Sequence, residues 1–159
     1  MKIFIYPGTF EPFTKGHIDI ARRAVSICDK LFVAILVNNS KKTMFSVEER
    51  IYMAKRSLDG IDRVEVESFQ GLLVDYFRMK KAVAVVRGLR SESDFRYEAE
   101  LTAANKLLCP GFEAVLMPCS MDLAFTSSTI VREVASYGGD VSGMVLPELV
   151  PMILDKYKH

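Results

Sequence analysis

The sequence predicts an α/β fold with a single doubly wound, parallel sheet of five strands, in one domain that covers residues 1–159. Three observations favour this fold. Five short apolar runs alternate with segments in which apolar residues recur at helical spacing. Two of the runs, LFVAILV and AVAVV, are apolar without alternation, which is typical of strands covered on both faces. Each connection is long enough for the helical crossover that parallel strands require.

The first strand is predicted at 2–6, where the sequence is KIFIY. It leads into an irregular segment, GTFEPFTKGH, in which Pro and Gly interrupt regular structure. A helix should begin at Gly16 and end near Asp29, because an apolar stripe with helical spacing appears there. The members of that stripe are Ile18, Ala21, Val25 and Cys28.

The second strand, LFVAILV at 31–37, precedes a polar loop at 38–45. Ser46 and Glu49 have the spacing of a capping box, which predicts a helix from there to about Leu58. Beyond it, charged residues alternate with Val64 and Val66, so the third strand should be partly exposed. Next come a predicted helix at 71–81, a wholly buried strand at 82–86 and a loop at 87–93.

The helix predicted at 94–108 has an apolar stripe formed by Tyr97, Leu101, Ala104 and Leu108. It is followed by a strand at 113–117, a helix from Ser127 to near Gly138, and a last helix from about Pro151.

The composition excludes several classes of protein. The chain has 21 Lys and Arg against 20 Asp and Glu, and no basic block, which disfavours non-specific nucleic-acid binding. Its three cysteines have neither zinc-site nor disulfide-framework spacing, so free thiols in a reducing compartment are expected. No apolar run reaches the length of a membrane span, and no leader with a cleavage site is evident. We therefore expect a cytoplasmic protein with no membrane partner.

Unusual polar residues follow four of the five predicted strands. The segment 9–17 follows the first strand, Lys41 and Lys42 the second, Arg87 and Arg90 the fourth, and 126–129 the fifth. Because ligands of parallel sheets bind beyond the carboxyl ends of the strands, these groups should meet at one rim. The pattern predicts an anion site, and we interpret it as a site for nucleotide phosphates.

Each group also has a simpler structural explanation. A histidine such as His17 in the first turn of a helix is more often a cap or a packed residue, and a lysine pair in a loop is usually solvated. Arg87 is more specific, because it directly follows a buried strand where a surface arginine has no evident structural purpose. The sequence TSST contains four hydroxyls where a helix cap needs one, which leaves donors for an anion. Glu98 could equally be a solvated residue on a helix face.

The predicted site contains two basic loops, one histidine and two hydroxyl-rich helix starts. It includes neither an acidic cluster for a metal nor a nucleophile paired with a base. This set of residues suits a reaction whose nucleophile is already an anion, with catalysis by alignment and by stabilisation of charge at phosphorus.

Two signatures in these segments resemble a known superfamily. GTFEPFTKGH is similar to the T/HxGH signature of the nucleotidylyltransferases, and TSSTIVR is similar to their ISSTxIR signature. The chain further resembles the bacterial phosphopantetheine adenylyltransferase family through YPGTF, through SKK with MF and EER, through RGLR with DF and YE, and through GDV with LPE. The resemblance covers essentially the whole chain and implies the family's Rossmann-like fold.

The resemblance also implies a function. The expected reaction transfers the adenylyl group of ATP to 4′-phosphopantetheine, giving dephospho-coenzyme A and pyrophosphate, with Mg²⁺ accompanying ATP. The expected assembly is a homohexamer, which apolar residues of the last helix (Met152, Ile153, Tyr157) weakly favour, and the expected feedback inhibitor is coenzyme A. The implied catalytic residues are His17, which stabilises the transition state at the α-phosphate, with Lys41 and Arg90. The implied substrate residues are Thr9, Lys41, Leu73 and Arg87, and the implied ATP residues are Thr9, Phe10, His17, Gly88, Leu89, Arg90, Glu98, Leu123, Ala124, Phe125, Thr126, Ser127, Ser128 and Thr129.

The chain departs from the family pattern at three positions. Glu11 stands where the family usually has Asp, Thr43 where Pro is common, and Leu123 where an aromatic residue often lies near the adenine. Two alternatives remain open. One is a nucleotidylyltransferase with another acceptor, such as nicotinate mononucleotide or glycerol 3-phosphate, which Lys41, RGLR and Thr14 disfavour. The other is a nucleotide-binding regulatory module that has lost catalysis, which intact His17, Lys41 and Arg90 disfavour.

Overall fold

A computed structural model describes residues 1–158, which form one five-stranded sheet with helices on both faces. All strand pairs are parallel, and the strand order is β3-β2-β1-β4-β5. The fold class predicted from the sequence is confirmed. The strands are β1 (Ile3–Gly8), β2 (Lys30–Val37), β3 (Val64–Gln70), β4 (Ala84–Leu89) and β5 (Ala114–Pro118), and the α-helices are α1 (Lys15–Val25), α2 (Val47–Ser57), α3 (Leu73–Met79), α4 (Glu92–Leu108), α5 (Ser128–Ser136) and α6 (Val150–Asp155).

The sheet divides the core into two layers. In β2, Leu31, Val33 and Ile35 face the larger layer, which α1, α2, α5 and α6 cover. Phe32 and Ala34 face the opposite layer, which α3 and the chain after α4 cover. Successive side chains of a strand point to opposite faces, so a run without alternation is buried only between two layers of helices.

Several boundaries differ from those predicted. β4 extends to Leu89, although 87–93 was expected to be a loop, because Arg87, Gly88 and Leu89 pair with β5. β1 likewise continues through Pro7 and Gly8, which pair with β2. A proline is tolerated there because β1 pairs with β4 only at Phe4 and Ile5, so one side of the strand is unpaired beyond Ile5 and needs no N–H donor. The sheet therefore reaches farther toward the predicted rim than the apolar runs indicate.

The prediction that the apolar stripe of α4 faces the core is wrong. Tyr97 and Leu108 are 61% and 54% exposed, and the one buried residue of the helix is Glu98. The stripe has helical spacing, but the helix meets the sheet through the side of Glu98, whose carboxylate pairs with an arginine of β4. In the last helix, Ile153 was predicted to lie at the surface, and this prediction is wrong because the residue is fully buried. Four large apolar side chains of α4 are exposed: Phe95, Tyr97, Leu107 and Leu108.

All three cysteines are free thiols, with Cys28 and Cys109 buried and Cys119 half-buried. Among the helices formed by residues 1–158, none combines the length and the apolarity that crossing a membrane requires.

Candidate active site at the carboxyl ends of β1 and β4

A cavity of about 470 Å³ opens at the carboxyl ends of β1 and β4. These two strands are neighbours in the sheet, and the chain order reverses between them, which is where doubly wound sheets bind ligands. Each of the four predicted polar groups contributes residues to the lining, among them Thr9, Lys41, Arg87 and Thr126. The predicted convergence of these groups at one rim is confirmed.

His17 lies in the first turn of α1, at the cavity, and completes a capping box with Thr14. The Thr14 N–H donates to Nδ1 of His17 over 2.9 Å, and the His17 N–H donates to the Thr14 hydroxyl over 3.3 Å. Because Nδ1 acts as an acceptor, a neutral ring carries its proton on Nε2. The histidine is therefore a cap and a cavity residue at once, so the two explanations considered from the sequence coexist.

The His17 ring stays neutral over the ordinary pH range. Burial is the largest cause that lowers its pKa, and the positive charges of Arg90 and Arg87 act in the same direction, so that together they bring the pKa to about 3. The ring also packs edge to face on Phe10, with centroids 4.9 Å apart, and lies 5.1 Å from the ring of Phe13. The start of α1 therefore packs against an aromatic cluster that its predicted apolar stripe does not include.

Arg87 has a structural partner that the sequence analysis did not foresee. Its Nε and Nη2 donate to the two carboxylate oxygens of Glu98, each over 2.9 Å, and Nη1 donates to the carbonyl of Pro7 over 3.0 Å. Glu98 is therefore a buried counter-ion instead of a solvated residue. A guanidinium has five N–H donors, so two remain for a ligand in a position that Glu98 holds rigid.

The TSST segment supplies fewer spare hydroxyls than its composition suggests. The Thr126 hydroxyl donates to the Leu123 carbonyl over 2.7 Å, and the Ser128 hydroxyl donates to the Pro12 carbonyl over 2.8 Å. Ser127 caps α5 by accepting from the Ile130 N–H. These bonds fix the start of α5 at the cavity, where its free N–H groups can face an anion.

The two remaining cationic side chains of the prediction lie at the cavity on separate loops. Lys41 belongs to the exposed loop after β2, and Arg90 follows β4. Asp94, on the first turn of α4, accepts from the Arg90 N–H over 2.8 Å and lies 3.6 Å from its Nε. Both charges are accessible to a ligand.

The structure does not bring every predicted residue to the cavity. Leu73 begins α3 and packs against the core layer on the far side of the sheet. Ala124 and Phe125 are exposed beside the cavity without lining it. Their roles, like those of the residues that do line it, stay predictions. The predicted residues that line the cavity are Thr9, Phe10, His17, Lys41, Arg87, Gly88, Arg90, Glu98, Leu123, Thr126, Ser128 and Thr129, and those that do not are Leu73, Leu89, Ala124, Phe125 and Ser127.

One arginine at the cavity is absent from the predicted site residues. Arg132 is the arginine of the TSSTIVR signature, four residues after Ser128 and hence on the same face of α5, and it donates to the Glu11 carbonyl. Helical spacing from Ser128 could have found it. Gly16 lies so close to the segment before α5 that a Cβ there would lie 2.7 Å from Oγ1 of Thr126. The two residues are distant in sequence, so only the folded chain reveals which residue Gly16 approaches.

Acidic side chains at the cavity are already engaged. Glu11 accepts from the Met44 N–H, Asp94 from the Arg90 N–H, and Glu98 from Arg87. Residues 1–158 contain no group of three His, Cys, Asp or Glu side chains that could hold a metal ion. The donor set therefore fits a divalent ion that is held mainly by the phosphates of a bound nucleotide.

Known proteins match this chain along its whole length. A family model described as cytidylyltransferase-like matches residues 5–134. Phosphopantetheine adenylyltransferase of Moorella thermoacetica is 47% identical over 157 residues, which are 99% of this chain and 98% of that protein. The protein of the same name from Clostridium botulinum strain 657 is 44% identical over 159 residues, which are 100% of this chain and 97% of that protein. The resemblance drawn from the motifs is confirmed.

Solved structures with the same fold are more distant in sequence. A candidate nicotinate-nucleotide adenylyltransferase of Vibrio parahaemolyticus has a TM-score of 0.74 at 16% identity, over 100% of this chain and 98% of its own. Nicotinic acid mononucleotide adenylyltransferase of Plasmodium falciparum has a TM-score of 0.68 at 14% identity, over 98% and 93% of the two chains. These likenesses support the fold alone. Because the relatives at 44% and 47% identity span the whole chain, the chain belongs to the phosphopantetheine adenylyltransferase family, among the cytidylyltransferase-like proteins.

Proposed function

We propose that this protein transfers the adenylyl group of ATP to 4′-phosphopantetheine, giving dephospho-coenzyme A and pyrophosphate. Its full-length relatives carry the name of this activity. Within the fold, the observation that carries the proposal is the state of His17. The ring is neutral, its Nδ1 is occupied by Thr14, and its remaining donor lies at a cavity that Arg87 and Arg90 make positive.

The reaction needs alignment more than proton transfer. A phosphate oxygen of 4′-phosphopantetheine forms a bond to the α-phosphorus of ATP. The bond from that phosphorus to the oxygen it shares with the β-phosphorus breaks, and pyrophosphate is released. The nucleophile is already an anion, so no base is required. Charge accumulates on the oxygens around the α-phosphorus, where Nε2–H of His17 donates and Arg90 adds a positive charge.

The acceptor phosphate is proposed to bind between Thr9, Lys41 and Arg87. Arg87 can offer its two unused N–H donors without breaking the pair with Glu98, which orients it. Leu73 would reach the pantetheine arm only where that arm leaves the cavity. In the loop that carries Lys41, the Met44 N–H donates to the carboxylate of Glu11, which follows β1. This bond would keep the charge of Lys41 near the acceptor phosphate.

The triphosphate is proposed to bind across the starts of α1 and α5. Gly88 and Arg90 follow β4 on one side, while Thr126 and Ser128 bring the free N–H groups of α5 on the other. Mg²⁺ is the divalent ion proposed here, and it would neutralise phosphate charge while bound mainly to ATP. Leu123 lines the cavity and is the residue proposed to lie near the adenine.

Pyrophosphate release tests the proposal directly. The protein would be incubated with ATP or CTP and with one acceptor at a time: 4′-phosphopantetheine, nicotinate mononucleotide or glycerol 3-phosphate. We expect release with ATP and 4′-phosphopantetheine and little with the other pairs. Release with another acceptor would favour the first alternative, and tight ATP binding without release would favour the non-catalytic module.

We also propose a homo-oligomer, a hexamer by resemblance to the family. Large apolar side chains of α4 support it, since Phe95 is 55% exposed and Leu107 is 87% exposed. Light scattering at micromolar concentration should give a multiple of 17.9 kDa. Leu107→Asp should reduce that mass, whereas Tyr137→Asp, at an equally exposed position on another helix end, should not. A monomeric parent would contradict the proposal.

Coenzyme A is the proposed feedback inhibitor. It contains the pantetheine arm and the adenylyl group of the product, so the same cavity can accept it with one additional phosphate. Inhibition should then be relieved by raising the concentration of ATP or 4′-phosphopantetheine. Inhibition that neither substrate relieves would indicate a separate site.

A further inference from the structure

Arg50 is a buried arginine on α2 that the cavity does not include. It is 3% exposed, and its Nη1 donates to two backbone carbonyls, those of Thr9 over 3.1 Å and Leu36 over 2.9 Å. Its Nε is buried with no hydrogen-bond partner among residues 1–158. A buried cation with an unpaired donor is costly, and an apolar side chain would often serve packing better. The two carbonyl contacts are therefore what the arginine provides.

The Thr9 contact sets the orientation of one peptide unit at the cavity. The carbonyl of Thr9 and the N–H of Phe10 belong to the same planar trans peptide, in which the two groups point in opposite directions. Arg50 holds the carbonyl toward α2, so the Phe10 N–H is directed away from α2. That N–H has no backbone or side-chain acceptor within residues 1–158, although Phe10 is only 4% exposed and lines the cavity.

The backbone at Phe10 needs such a restraint. Its φ of 51° lies in the left-handed region, which a residue with a bulky side chain rarely adopts unless its surroundings hold it there. Its ring is held by Tyr6, 5.1 Å away between centroids, and by Phe13 at 5.0 Å. Arg50 holds the peptide that precedes it. A backbone N–H without an acceptor, in a residue that lines a cavity with several cationic side chains, is suited to a phosphate oxygen.

We propose that Arg50 is a positioning residue for nucleotide binding, which turns the Phe10 N–H toward a phosphate oxygen of ATP. This inference rests on the proposed function for the identity of the anion. It assigns no contact between Arg50 and the substrate. The contact to Leu36, at the end of β2, ties the same peptide to the sheet, so the donor is fixed before the nucleotide arrives.

Three variants separate positioning from general stabilisation. Arg50→Met removes the donors and keeps an unbranched apolar side chain as far as the position of Nε. Arg50→Lys keeps a cation with three N–H donors for these carbonyls, on a side chain one atom shorter than arginine. Arg63→Met is the control for loss of an arginine that joins two backbone carbonyls, since Arg63 donates to those of Cys28 and Val25 from an exposed position away from the cavity.

Calorimetric titration with ATP should be made at a temperature where circular dichroism finds each variant folded. Arg50→Met should weaken ATP binding about tenfold, as expected for one lost hydrogen bond to a charged group. Arg50→Lys should recover most of that loss, and Arg63→Met should bind ATP like the parent. An equal loss in Arg63→Met, or parental affinity in Arg50→Met, would overturn the inference.

A measurement on the parent protein stands independently of the variants. The chain has ten phenylalanines, so protein labelled with ¹⁵N-phenylalanine gives ten amide signals, and Phe10→Leu identifies the one of interest. ATP should move that signal downfield, as expected for an N–H that gains a charged acceptor. An unmoved signal in a protein that binds ATP would refute the inference, whereas a parent that neither binds ATP nor releases pyrophosphate would refute the proposed function instead.

Discussion

Replacing His17 in two ways distinguishes its catalytic donor from its structural cap. His17→Ala removes both. His17→Asn places an oxygen near the position of Nδ1, where it can accept from the Thr14 N–H, but it has no donor at the position of Nε2. If Nε2–H stabilises charge at the α-phosphate, both variants should lower turnover by about 10² to 10³, the cost of one lost donor of the oxyanion type. ATP affinity should fall much less.

The stability of the two variants should differ. His17→Ala loses the capping contact, worth about 1 kcal/mol, and the contacts with Phe10 and Phe13, worth about another 1 kcal/mol. In a domain of this size the sum corresponds to a fall in Tm of about 4–8 °C. His17→Asn keeps the cap and should lose about half as much. Turnover is measured by pyrophosphate release with both substrates saturating, and Tm by circular dichroism. Parental turnover in His17→Asn, or rate losses that follow the Tm losses, would refute the role of Nε2–H.

The pH dependence of the parent follows from the same side chain. The pKa of His17 is about 3 in the folded protein and about 6.5 in an unfolded chain, so only the unfolded state binds the proton between these values. The free energy of unfolding should therefore fall as the pH drops from about 6.5 toward 3, and it should fall less in His17→Asn. Ionisation of the substrates affects the turnover of the parent and of His17→Asn equally, so it does not change the ratio of the two rates. That ratio should therefore stay constant between about pH 6 and 9. A ratio that changes near neutral pH would identify an ionising histidine.

Two further predictions concern the rest of the cavity. Gly16→Ala places a Cβ 2.7 Å from Oγ1 of Thr126, so it should raise KM for ATP at least several-fold, whereas Gly111→Ala, with open space around its Cβ, should not. Steady-state kinetics of both variants is the measurement, and unchanged KM in Gly16→Ala would contradict the close approach. Lys41→Ala should chiefly weaken 4′-phosphopantetheine and Arg90→Ala chiefly ATP, because the two side chains lie on loops from different strands. Calorimetric titrations in which both variants lose only ATP affinity would disprove this division.

Local and periodic features of the fold were predictable because neighbouring residues determine them. The capping box of Ser46 and Glu49, and the N-cap at Ser127, are present as expected. The run LFVAILV lies in β2, and residues 84–86 of the run AVAVV lie in β4, so both runs contribute to inner strands between the two core layers. The prediction that the second run is wholly buried is wrong at its start, because Val83 precedes β4 and is 46% exposed. From these, the parallel sheet and the meeting of four polar groups at one rim followed, since helical crossovers bring strand ends to the same edge.

The tertiary structure decided what depends on partners distant in the chain. Arg87 pairs with Glu98, eleven residues away on α4, and this charge pair turns the apolar stripe of that helix outward. Arg50 donates to the carbonyl of Thr9, which lies 41 residues earlier in the chain. Gly16 and Thr126, which approach each other closely, are even farther apart in sequence. The sequence by itself determined which residues could bind phosphate. Which of their donors are already occupied, and which are left for a ligand, depends on distances between elements that no local pattern contains.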